Sequence, residues 1–103
     1  MAPPVIVTLP HQLGRAEARR RIENGFAQIV QVLPGGAGQV SQRWEADRLA
    51  FNVGALGQSV SGFVDVQETT VTMEIHLPGV LGLLAQGLKG RLRKAGQLLL
   101  TKK

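Results

Sequence analysis

The sequence predicts an α+β domain in the order β-α-β-β-β-β-α: an antiparallel sheet, a long helix after strand one, and a C-terminal amphipathic helix. Three observations lead there. Between Val40 and Leu77, four successive segments alternate apolar and polar residues across short turns, as a meander with one covered face does. Two other segments, Gly14 to Leu33 and Leu81 to Leu99, repeat apolar residues every three or four positions, as helices do. The chain has 103 residues, 44% of them hydrophobic, and no cysteine, which suits one core spanning 1–103 and excludes a disulfide framework or a cysteine-ligated metal.

Residues 1–4 read as a flexible N-terminus. Val5-Ile-Val-Thr-Leu9 is a β-branched run that ends at Pro10, as an edge or first strand does. From Gly14, the residues Ala18, Ile22, Phe26, Ile29 and Leu33 fall on one helical face, with Arg15, Glu17, Arg20, Arg21, Glu23 and Gln31 largely elsewhere. Pro34-Gly35-Gly36-Ala37-Gly38 stops this helix and reads as a connector. Gly25 costs the helix about 1 kcal/mol against alanine, so its apolar face needs a surface to rest on.

The meander follows. Val40, Gln42, Trp44 and Ala46 alternate with Ser41, Arg43 and Glu45, and Asp47-Arg48 reverses the chain into Leu49, Phe51 and Val53. After a turn over Gly54 to Gly57 come Val60, Gly62, Val64 and Val66, then a turn at Gln67-Glu68-Thr69, then Val71, Met73, Ile75 and Leu77. Trp44 belongs to the core under the first helix, and Phe63, opposite in register to Val64, marks a second covered face or an exposed contact. Past Pro78-Gly79, the residues Leu81, Leu84, Leu88, Leu92, Ala95 and Leu99 give a C-terminal helix of up to about five turns within 80–103. Gly82, Gly87, Gly90 and Gly96 weaken it, so it too needs a surface.

The net charge of +5 is unevenly placed. Residues 1–79 hold all seven acids and six cations, whereas 80–103 hold Lys89, Arg91, Arg93, Lys94, Lys102 and Lys103 and no acid. Glu17 pairs with Arg21 at i,i+4, and Arg19 with Glu23, so the arginine run of the first helix is a solvated, neutralised face. The charge excess belongs to the last helix.

Catalytic chemistry finds little support: His11 and His76 are the only histidines, tyrosine is absent, and the carboxylates scatter over turns and solvent faces. His76 reads as a surface residue and His11 as an anchor at the helix entry; neither has metal-pair spacing. The Gly35 to Gly38 loop follows a helix and lacks the Lys-Ser/Thr of a phosphate loop. No catalytic residue, metal or cofactor is expected. No secretory signal or membrane-spanning run is evident, so a cytoplasmic protein is the expectation.

The C-terminal helix carries the functional signal. Leu84, Leu88 and Leu92, flanked by Lys89, Arg91, Arg93 and Lys94, are expected to bind a partner surface, the leucines entering it shallowly and the cations meeting anionic groups. The competing reading packs the leucines on the sheet and leaves the cations in solvent. Leu83, Leu98 and Leu100 lie off the main stripe and allow a further contact with a second copy, a particle or a lipid.

Val5-Ile-Val, His11-Gln-Leu-Gly14, Trp44-Glu-Ala-Asp-Arg-Leu-Ala-Phe51, Gly62-Phe-Val-Asp-Val66 and Val71-Thr-Met-Glu-Ile-His-Leu77, followed by a basic helix, resemble the polyhydroxyalkanoic acid system family over Val5 to Leu99. The resemblance implies a small bacterial protein associated with polyester storage granules, and brings no catalytic residues. The leading expectation is a non-enzymatic accessory protein bound to the granule surface or to anionic lipid. Two alternatives stand beside it: a module that binds nucleic acid, ranked lower for want of stacking aromatics, or an acidic protein through the same cations, and a small carrier holding an acyl ligand between sheet and C-terminal helix.

Overall fold

A computed structural model describes residues 4–32, 40–55 and 58–101. The expectations for the N-terminal tip, the helix end at Leu33, the Pro34 to Gly38 connector and the tip of the Gly54 to Gly57 turn lie outside these residues. The elements are β1 (Val5–Pro10), α1 (Arg15–Val32), β2 (Val40–Glu45), β3 (Arg48–Ala55), β4 (Gln58–Val66), β5 (Thr70–His76), a 3-10 helix (Gly79–Leu84) and α2 (Ala85–Thr101). The chain is an α+β fold with the predicted order.

The five strands form one antiparallel sheet in the order β1-β5-β4-β3-β2, so β1 closes the meander by pairing with its last strand. The register puts Val7 opposite Met73, Val64 opposite Met73 on the other side, and Leu49 opposite Val64. Because side chains alternate along each strand, these residues share one face, and all are buried. Both helices cover that face. Ala18, Ile22, Phe26, Ile29 and Val30 of α1 join the core, and Phe26 meets Phe51 edge to face at 5.4 Å. The helices pack on each other, with α2 also on β1 and α1 on β4.

Four expectations shift in detail. The first hairpin turns at Ala46-Asp47, not Asp47-Arg48, since Arg48 is already paired with Glu45; Ala46 takes the positive φ (53°) that a two-residue hairpin turn needs at its first central position. Trp44 packs on the core but is only half buried, because β2 is the outermost strand and the remainder of it is exposed. Arg19 lies 4.5 Å above the Trp44 ring instead of reaching Glu23. The C-terminal segment opens as a 3-10 turn: Pro78 is extended, no side chain caps the start, and Gly79 and Gly82 lower the helical preference there.

Candidate functional site

The basic helix is anchored from below. Leu88 (4% exposed), Leu92 (0%), Leu99 and Leu100 lie in the core, so Leu88 and Leu92 are not free to enter another surface. This corrects the expectation for those two; the side chain of Leu84 lies outside the described ones. The cause is the second apolar surface offered by α1 and β1, which together take up Leu88, Leu92 and Leu99 of the stripe. Two glycines make the approach close. A Cβ on Gly25 of α1 would overlap the Leu99 side chain, and one on Gly96 would overlap Leu9 Cδ1 and come 3.0 Å from Met73 Cε. At Gly96 the sheet and α2 therefore touch, with no room for an acyl chain between them.

The cations face outward. At 100° per residue, Lys89 and Arg93 form one row along α2 and Arg91 and Lys94 a second, one on each flank of the buried stripe. All four are exposed, and none has an ion pair among the described residues. Five of the seven acids are engaged elsewhere: Glu17 with Arg20 and Arg21, Asp47 with Arg15, Glu45 with Arg43, Asp65 with Arg48, and Glu74 with His76. The paired guanidinium groups hold the Glu17 carboxyl at about 2, well below its ordinary range. Gly90 lies between the two rows and Gly87 on the row of Arg91 and Lys94, and beside each a Cβ would meet nothing within 4 Å.

A groove of about 740 Å³ runs between the helices, lined by Gln28, Gln31 and Val32 of α1 and Arg91, Lys94, Ala95 and Leu98 of α2. Leu98 is 56% exposed and Leu83 is 98% exposed, so among the described side chains of the C-terminal segment the large apolar ones that stay in solvent lie off the main stripe. Arg21 crosses from α1 to the far end of α2, its Nη1 3.5 and 3.4 Å from the carbonyl oxygens of Leu99 and Leu100. A guanidinium there complements the negative end of the helix dipole, which α2 lacks a basic residue of its own last turn to meet.

His11 is buried as an anchor of the helix entry. Its Nε2 donates to the Gln67 carbonyl at 3.0 Å and its Nδ1 accepts the Leu13 N–H at 3.2 Å, a pair of bonds that the neutral Nε2–H tautomer satisfies. His76 is exposed and meets Glu74 at 2.6 Å. Phe63 lies on the sheet face away from the helices, with Arg48 stacked 4.1 Å above its ring and held by two bonds to Asp65. Among the described residues no group of three His, Asp or Glu side chains is arranged to hold a metal, and no helix is long and apolar enough to cross a membrane.

Fold and site together define a small α+β protein with four exposed cations on its last helix that have no ion pair among the described residues, and with each histidine hydrogen-bonded, His11 to Gln67 and Leu13 and His76 to Glu74. Residues 5–99 match the family described as "Putative polyhydroxyalkanoic acid system protein", and the chain belongs to that family. No curated protein matches it.

Proposed function

We propose that the protein is a non-enzymatic accessory component of the polyhydroxyalkanoate system, cytoplasmic and bound to the storage-granule surface through the outer face of α2. The observation that carries this reading is the pair of cation rows, Lys89 with Arg93 and Arg91 with Lys94, exposed and without acidic partners on a member of this family. Cations near an anionic surface add about 1 kcal/mol each, and salt screens them. Gly87 and Gly90 leave the outer face low enough for the helix to lie close, and the exposed Leu98 supplies a shallow apolar contact in place of the buried Leu88 and Leu92.

Removing α2 would strip Leu88, Leu92 and Leu99 from the core and would test folding, not binding. The suitable experiment is co-sedimentation of the intact chain with isolated polyester granules over a salt series, with duplex DNA run in parallel. Binding to granules that falls as salt rises supports the reading. Salt-independent binding, or tighter binding to DNA than to granules at every salt concentration, refutes it.

A further inference from the structure

The sheet order leaves β1 and β2 as its two edges. β1 is flanked by Pro4 and ends at Pro10, and α2 packs along it, which blunts that edge. Among the described residues β2 has none of these protections. It carries no proline or lysine, its pairing with β3 runs without a bulge from Val40 to Glu45, and every residue but Trp44 is exposed.

The backbone groups bared at this edge follow from the hydrogen bonding. The Asp47 carbonyl accepts from Val66 N–H at 2.9 Å and so points to β4; by alternation Arg48 points to β2, where it is paired with Glu45. Ser41, Arg43 and Glu45 therefore bond to β3, and the N–H and C=O of Val40, Gln42 and Trp44 point away from the sheet. Around the last of these the sequence is self-complementary: Arg43 and Glu45 flank Trp44 symmetrically with opposite charge.

We propose that two copies of the chain pair through β2, antiparallel about a two-fold axis at Trp44. Each Trp44 exchanges both backbone bonds with its counterpart, and each Arg43 faces the copy's Glu45, once on either side of the axis. Within one chain Arg43 and Glu45 sit 3.3 Å apart with side chains 77% and 61% exposed, so both are free to turn toward a partner strand. An axis at Gln42 would instead set Arg43 opposite Ser41 and the two Arg43 side chains diagonal to each other with no acid opposite, so charge selects the Trp44 register. The half-buried Trp44 rings meet on the helix-bearing face, completing cover that one chain lacks. Because residue faces residue across the axis, both copies keep their helices on the same side, and α2, which packs on β1, lies at each outer end of the doubled sheet. This pairing stands independently of the granule reading.

Sedimentation equilibrium on the full chain tests it, with the fluorescence of Trp44, the only tryptophan, as a second readout. A concentration-dependent species of twice the 11.0 kDa chain mass is expected, with Trp44 emission shifting to the blue as it forms. Arg43→Glu and Glu45→Arg should each weaken association at least about tenfold by setting like charges opposite, and the double exchange should restore it. Gln42→Pro removes an N–H that points away from β3 and that the proposed partner strand would use, so it should leave a folded monomer by circular dichroism. A monomer at all concentrations, single reversals without effect, a double exchange that fails to restore association, or a Gln42→Pro protein that still dimerises overturns the proposal.

Discussion

Gly25 of α1 faces Leu99 of α2 with no space for a methyl group between them: a Cβ there would overlap both Leu99 methyl carbons and lie 3.0 Å from Cγ. The residue that weakens α1 as an isolated helix is the one that lets α2 settle on it.

Gly25→Ala should therefore destabilise the protein in spite of the roughly 1 kcal/mol that alanine adds to helix propensity, because overpacking costs about 1–3 kcal/mol. Gly87→Ala and Gly90→Ala, which meet nothing, should each stabilise by about 0.5–1 kcal/mol. Urea denaturation of the three variants measures the contrast, and adding Leu99→Ala should make Gly25→Ala less harmful than it is alone.

Leu92 is fully buried, so Leu92→Ala should cost about 2–5 kcal/mol of stability. At a temperature where the variant remains folded, its granule binding should equal that of the parent. A loss of binding without a loss of stability would return Leu92 to the contact surface.

His11→Ala leaves the Gln67 carbonyl and the Leu13 N–H without their side-chain partners at a part-buried junction. The expected cost is about 1–3 kcal/mol, read from the shift of the urea midpoint at constant slope. Faster amide exchange should be confined to the β1–α1 connection and the β4–β5 turn, the two segments His11 ties together.

Glu17 holds Arg20 and Arg21 and has its carboxyl pKa lowered from 4.5 to about 2 by those hydrogen bonds. A depressed folded-state pKa contributes stability that is complete above the unfolded value and is lost as pH falls from about 4.5 toward 2. The melting temperature of Glu17→Gln should lie below that of the parent at neutral pH and converge with it near the bottom of that window. Added salt should shrink the difference, since the pair is solvent-exposed.

Both helices and most of the strands were legible in the sequence because apolar residues recur on one face: Val5, Val7 and Leu9, or Val71, Met73 and Ile75, can only point one way together, whereas Gln42 interrupts the apolar register of β2. The turn at Ala46 was one residue off, since alanine gives no hint of a positive φ and Asp47 is the stronger turn former. Gly25 and Gly96 read only as helix-weakening residues, because periodicity within one element carries no information about which neighbour comes close to it.

The site was half legible. Lys89, Arg91, Arg93 and Lys94 stood out as cations without nearby acids, and they are exposed. Leu88 and Leu92 form the same stripe whether a helix lies on its own sheet or on a foreign surface, so only the packing of α2 against α1 and β1 could decide between them. The groove between the helices, with Gln28 and Gln31 facing Arg91 and Lys94, joins residues far apart in the chain and has no linear signature.

In the proposed binding mode the cations of α2, and not its leucine stripe, hold the protein to the granule. The most direct measurement is co-sedimentation of the Lys89→Gln/Arg91→Gln/Arg93→Gln/Lys94→Gln protein with isolated polyester granules, beside the parent at low salt. An unchanged fold is expected, because these side chains are exposed and have no ion pair among the described residues, with binding reduced at least about tenfold from the loss of about 1 kcal/mol per surface-facing cation. A folded quadruple variant that sediments with granules as fully as the parent would contradict this binding mode.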